Sequence, residues 1–127
     1  MSTLTIISLI TFYAGVYNIN PAVAIAVAEQ ESKLDPNAVG ALNEQGLFQL
    51  RPEFNSEYTI EQLRQPEINI KLGLAYLAKM QKECKHKGDL EFLTCFNLGP
   101  SAAKKIKFPG LFPYVLDIKR KLANKEN

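Results

Sequence analysis

The sequence predicts an all-α protein, a single domain over residues 1–127 in which helices surround one buried central helix. Three observations carry this. Apolar residues recur at helical spacing through most of the chain, helix-start chemistry precedes those stretches, and no alternating apolar–polar run extends beyond a few residues. A chain of 127 residues is also long enough to enclose a real core.

Leu4 to Tyr17 is the first expected helix, with apolar residues at 4, 7, 10 and 14 and Ser8 and Thr11 between them. Asn20 is a good N-cap and Pro21 suits the first helical position, so a second helix starts there. Its run Ala22 to Ala28 has no polar face, which predicts complete burial and makes it the central helix. Residues 32–46 are irregular, with Asp35-Pro36, Asn43 and Gly46 supplying turn chemistry. Thr59 followed by Gln62 predicts a capping box on a short helix. The longest helix is expected from Glu67 to about Lys85, with Ile70, Leu74, Leu77 and Met80 or Gln81 along one side. Asp89 is expected to cap a helix over Leu90 to Phe96, stopped by Gly99-Pro100. A short helix within Pro100 to Lys107, a loop from Phe108 to Pro113 and a final helix from Tyr114 to Leu122 complete the reading.

Composition excludes several functions. A net charge of +2 gives no reason to expect a nucleic-acid partner. Residues 100–127 carry a local charge of +5, read as a solvated helix face and chain end rather than as a docking surface. The single histidine, His86, sits between two lysines in an expected loop, which argues against a Ser-His-Asp triad. Two cysteines and one histidine without ligand spacing argue against a metal site, and no cofactor is expected. The apolar stretch from Leu4 to Val16 is too short to cross a membrane, so no stable membrane insertion is expected. No Lys or Arg precedes Lys33, so it lacks the charged leader of a signal peptide.

One acidic side chain stands out. Glu31, followed by Ser32, closes the apolar helix, and Gly46-Leu47-Phe48-Gln49 follows it. Burial and the negative end of a helix dipole both favour the protonated form of a carboxyl group. A proton held near neutral pH is what a general acid needs. Glu29 lies ~200° round the helix from Glu31 and faces elsewhere. Asp35 fits an Asx-turn. Glu44 is the one candidate for a second carboxylate, against the plainer reading of a solvent-facing loop residue.

These blocks come in a set order: Asn20-Pro21, Glu31-Ser32, Asp35-Pro36, Gly46-Leu47-Phe48-Gln49, Asn69-Ile70 with Gly73, Tyr76-Leu77, Phe96-Asn97-Leu98-Gly99-Pro100 and Tyr114-Val115. Together they resemble the soluble lytic transglycosylases, relatives of goose-type lysozyme, over nearly the whole chain. The resemblance implies a lysozyme-like fold and cleavage of the β-1,4 MurNAc–GlcNAc bond of peptidoglycan, with the glycan strand as partner and the protein as a monomer. Glu31 would be the acid and then the base, leaving a 1,6-anhydroMurNAc product. Most glycosidases instead pair two carboxylates, about 5–5.5 Å apart for retention or about 6.5–9.5 Å for inversion. Hydrolysis by a lysozyme, with Glu44 assisting water, is the second reading, and an inactive glycan-binding virion component the third.

The resemblance also assigns substrate contacts. Gln49 is expected to bind sugar in preference to satisfying a turn. Ser32 would orient Glu31 or cap the next turn. Asn97 either binds sugar or satisfies backbone groups, and Tyr76 and Tyr114 either stack on sugar faces or pack with a wet hydroxyl. Phe96 stands where the family usually has Tyr, Gly40 where Ser is common, and Asn43-Glu44 where a Gly-Ala pair is usual. Without a leader, the protein is expected to be made in the cytoplasm and to act at the bacterial wall, as a released phage endolysin or a virion enzyme. Cys84 and Cys95 flank Gly88-Asp89 almost symmetrically, which leaves a bridge open, yet a reducing compartment predicts two free thiols.

Overall fold

The structure, a computed structural model, describes residues 1–84 and 88–126. His86 and the expected helix end at Lys85 lie outside them. Among the described residues the regular structure is helical, apart from isolated bridges in one loop. The chain divides into two compact units, residues 1–75 and 76–127.

In the first unit, α1 spans Thr3–Val16 and α2 spans Pro21–Ser32. Ser2 caps α1 through Thr5 N–H, and Asn20 caps α2 through Ala22 N–H with Pro21 in the first turn. The two helices pack together. The buried stripe of α1 is Ile6, Ile10 and Ala14, whereas Leu4 is exposed. The expected stripe therefore holds at Ile10 and Ala14, is half-buried at Ile7 and fails at Leu4, with Ile6 buried in its stead. A helix apolar on nearly every side offers several stripes, and only its neighbour selects one. Helix α2 buries Val23, Ala24, Ala26, Val27 and Ala28, as the run without a polar face predicts.

Helix α3, Ile60–Arg64, carries the expected capping box: Thr59 Oγ1 accepts from Gln62 N–H at 3.1 Å, and Gln62 Oε1 accepts from Thr59 N–H at 2.9 Å. Helix α4, Pro66–Glu83, begins in the first unit and ends in the second, burying Ile70, Leu74, Leu77 and Met80. Tyr13 ties α1 to α4 by donating its hydroxyl to Glu67 Oε1 at 2.6 Å. That bond, with some burial, holds the phenol above its ordinary pKa.

In the second unit, α5 is Leu93–Leu98, α6 is Pro100–Ala103 and α7 is Pro113–Glu126. Short 3₁₀ turns, Pro52–Phe54 in the first unit and Pro109–Leu111 in the second, were not foreseen. Helix α5 starts later than expected. Leu93 N–H bonds to Leu90 O at 3.0 Å, so Leu90 to Phe92 form a turn ahead of the helix, and Leu90 N–H bonds to Glu91 Oε2 at 3.2 Å. Helix α7 outruns its expected end because no Gly or Pro follows Leu122.

The expectation of two free thiols is corrected. Cys84 and Cys95 form a disulfide with Cα atoms 6.5 Å apart, inside the normal range for a bridge. Cys84 directly follows α4 and Cys95 lies in α5, within bridging distance, so local geometry outweighs an argument from compartment.

Candidate active site

Glu31 sits half-buried in the last turn of α2, after a helix whose interior is alanine and valine. Ser32 is buried, and its hydroxyl donates to Ala28 O at 3.0 Å. That bond lies within the helix itself. The helix then stops abruptly, because Lys33 and Leu34 both adopt left-handed backbone, with φ of 55° and 61°. Neither is glycine, so the reversal costs conformational energy. Asp35 Oδ1 accepts from Asn37 N–H at 2.9 Å, the Asx-turn anticipated for it.

The chain next forms a compact loop. Antiparallel bridges pair Val39 with Gln45 and Gln45 with Leu50. Asn69, fully buried at the start of α4, clamps this loop from beneath. Its Oδ1 accepts from Phe48 N–H at 2.7 Å, while its Nδ2 donates to Gln45 O at 2.8 Å and Leu63 O at 2.7 Å. Gly46 has φ of 74°, and a Cβ there would stand 2.5 Å from Asn69 Nδ2, so both backbone and clamp require glycine. Leu47 and Phe48 are buried, as expected of a wall of core residues.

Gln49 and Glu44 belong to this loop. Gln49 Nε2 donates to Gly46 O at 2.9 Å and Ala38 O at 3.2 Å, so half of the amide satisfies backbone at a turn. Its own φ is 50°, again left-handed. Glu44 does not extend freely into solvent. It is half-buried, and its Oε1 accepts from Leu42 N–H at 2.6 Å. Both side chains lie against Gly40.

The remaining expected residues belong to the second unit. Tyr76 is 37% exposed, and its ring lies 5.6 Å from that of Phe96 at a tilt of 46°. Burial, and then the Glu83 carboxylate, push the Tyr76 phenol above its ordinary pKa, which leaves it a neutral donor. Asn97 is exposed near the end of α5, two residues after the disulfide-bonded Cys95. Tyr114 is buried at the start of α7.

Two buried side chains escaped the sequence reading in their structural role. Asn69 appeared there only as part of a block, and Gln45 did not appear at all. Gln45 is fully buried, donates to Asn43 O and Oδ1, and accepts from Arg64 Nε at 2.6 Å. An amide side chain flanking the glycine of a turn was the available signal. Among the described residues no group of three or more His, Cys, Asp or Glu side chains could hold a metal ion, and no helix is long and apolar enough to cross a membrane.

A half-buried acid thus ends an apolar helix, and a glycine loop clamped by Asn69 follows it in an all-α fold. The chain belongs to the transglycosylase SLT domain family, whose pattern matches residues 8–108. It is similar to an inactive Glu-to-Gln mutant of the lytic transglycosylase Slt from Pseudomonas aeruginosa, with a TM-score of 0.73 and 20% identity over 94% of this chain and 24% of that one. It is also similar to the 70 kDa soluble lytic transglycosylase of Escherichia coli, with a TM-score of 0.70 and 21% identity over 94% of this chain and 21% of that one. The chain thus spans about a quarter or less of the length of these relatives. Its fold is the all-α, lysozyme-like fold.

Proposed function

We infer that this chain cleaves the β-1,4 bond between MurNAc and GlcNAc in peptidoglycan and releases a 1,6-anhydroMurNAc end. The observation that carries this reading is the placement of Glu31, half-buried in the last turn of an otherwise apolar helix. Membership of the transglycosylase SLT domain family supports it, as does the relative whose Glu-to-Gln mutant is inactive.

Glu31 gives its proton to the glycosidic oxygen as the C1–O bond breaks. The carboxylate so formed then takes the proton from the C6 hydroxyl of the same MurNAc. That oxygen attacks C1, closes the anhydro ring and returns Glu31 to its acid form. The nucleophile is part of the substrate, so its effective concentration is high and no water has to be positioned. One carboxyl group is enough for both proton transfers. Gln49 orients the sugar with the half of its amide that the backbone does not use. The work is done outside the cytoplasm, where a bridge such as Cys84–Cys95 persists.

Mass spectrometry of the products of purified peptidoglycan tests the reading. Anhydro ends are expected. Reducing ends, heavier by one water, would instead establish hydrolysis, and an undigested wall would leave a binding protein.

A further inference from the structure

Gly40, Glu44 and Gln49 converge on one point. A Cβ on Gly40 would lie 2.6 Å from Glu44 Oε1 and 2.6 Å from Gln49 Oε1, so the two oxygens approach the same face of the glycine and twice that distance bounds their separation. The Gln49 amide cannot turn over. Its nitrogen already donates to Ala38 O and Gly46 O, and an oxygen in that place could donate to neither. Gln49 Oε1 therefore faces Glu44, and it receives no hydrogen bond among the described residues. Glu44 Oε1 accepts from Leu42 N–H and keeps a further lone pair. Two half-buried acceptors side by side repel each other unless a donor sits against both.

We propose that Glu44 and Gln49 form a subsite for a hydrogen-bond donor of the amino-sugar chain, either an acetamido N–H or a hydroxyl. The proposal rests on the glycan-cleaving reading above. It gives Glu44 a substrate-binding role distinct from that of a base. The loop is suited to it: Leu42 N–H and the Asn69 clamp fix where the acceptors stand before any ligand arrives. Gly40 belongs to the same device, because any larger residue would put a methyl group where the two oxygens meet.

The test is a titration of ¹⁵N-labelled protein with chitotetraose, followed by NMR at the Leu42 backbone and Gln49 side-chain amides. Both signals are expected to shift on binding. Glu44→Ala is expected to weaken binding about tenfold, the size of one hydrogen bond to a charged group. Gly40→Ala is expected to weaken it in the same direction with both acceptors still present. Glu44→Gln keeps an acceptor for Leu42 N–H, so it serves if Glu44→Ala fails to fold, and it should bind less tightly than wild type. Cellotetraose separates the two donors. An equal Glu44 effect on that sugar assigns a hydroxyl, and an effect confined to chitotetraose assigns the acetamido N–H. Binding by the wild type that neither Glu44 variant weakens overturns the subsite alone. A fall in kcat at unchanged affinity also overturns it and makes Glu44 a base. A wild type that shifts with neither sugar overturns the subsite, while mass spectrometry of the peptidoglycan products separately decides the function on which it rests.

Discussion

Asn69 Oδ1 accepts the backbone N–H of Phe48 at 2.7 Å, a bond between residues 21 apart in sequence that fastens the Gln49 loop to the first turn of α4. The other half of the amide holds Gln45 O and Leu63 O. Asn69→Leu keeps the volume and strands Phe48 N–H and Leu63 O, while Gln45 O keeps its bond from Leu50 N–H. Each stranded group costs about 1–3 kcal/mol, so a loss of at least ~2 kcal/mol is expected. Urea unfolding measures it. A midpoint within error of wild type would show that the clamp is dispensable.

Gly73 faces Phe48 from α4. A Cβ there would stand 2.5 Å from Phe48 Cγ and 2.6 Å from Phe48 Cβ. Gly73→Ala should destabilise by about 1–3 kcal/mol through overpacking, despite the better helix propensity of alanine. Adding Phe48→Leu should not restore stability, because the Cβ contact remains. Thermal melts of the single and double variants decide this, and full rescue would place the clash at the ring alone.

Lys33 is exposed and left-handed directly after α2, the position where helices favour glycine. Lys33→Gly removes the Cβ penalty, partly offset by the greater freedom of glycine in the unfolded chain. A gain of about 0.5–1 kcal/mol is expected, which raises Tm by roughly 2–4 °C. A lower Tm would mean that the lysine stem contributes more than its backbone costs.

Glu31→Gln tests the acid. It preserves size and removes the proton that the leaving oxygen needs. Turbidity clearing of purified walls should fall by ~10²–10⁴ or more, with the melting temperature little changed. Retention of over half the wild-type rate would move the chemistry to another residue.

The Cys84–Cys95 bridge closes a loop between positions 11 apart, which constrains the unfolded chain by about 2–3 kcal/mol in the chain-entropy account. Reductant should lower Tm accordingly. Thiol titration of denatured, unreduced protein should find no reactive group, and two reactive groups would show that the bridge does not form.

Local chemistry made much of this protein legible in advance. Helix starts at Asn20-Pro21 and Thr59, the burial of the Ala22 to Ala28 run and the Asx-turn at Asp35 depend on neighbouring residues, so the chain states them directly. The position of Glu31 at the end of that run is of the same kind, as is the burial of Leu47 and Phe48.

Tertiary contacts decided the rest. Which stripe of α1 is buried depended on α2, since several apolar faces were equally available. The start of α5 followed the turn that Leu93 N–H closes on Leu90 O, and the state of the cysteines followed from Cα atoms that the fold sets 6.5 Å apart. The roles of Asn69 and Gln45 were hidden because their partners are backbone groups distant in sequence. Glu44 and Gln49 belong with these. Residue type marked each as polar and available, but only the folded loop sets the two acceptors against the same glycine, because that meeting depends on backbone turns between positions 38 and 50 and on a clamp from α4.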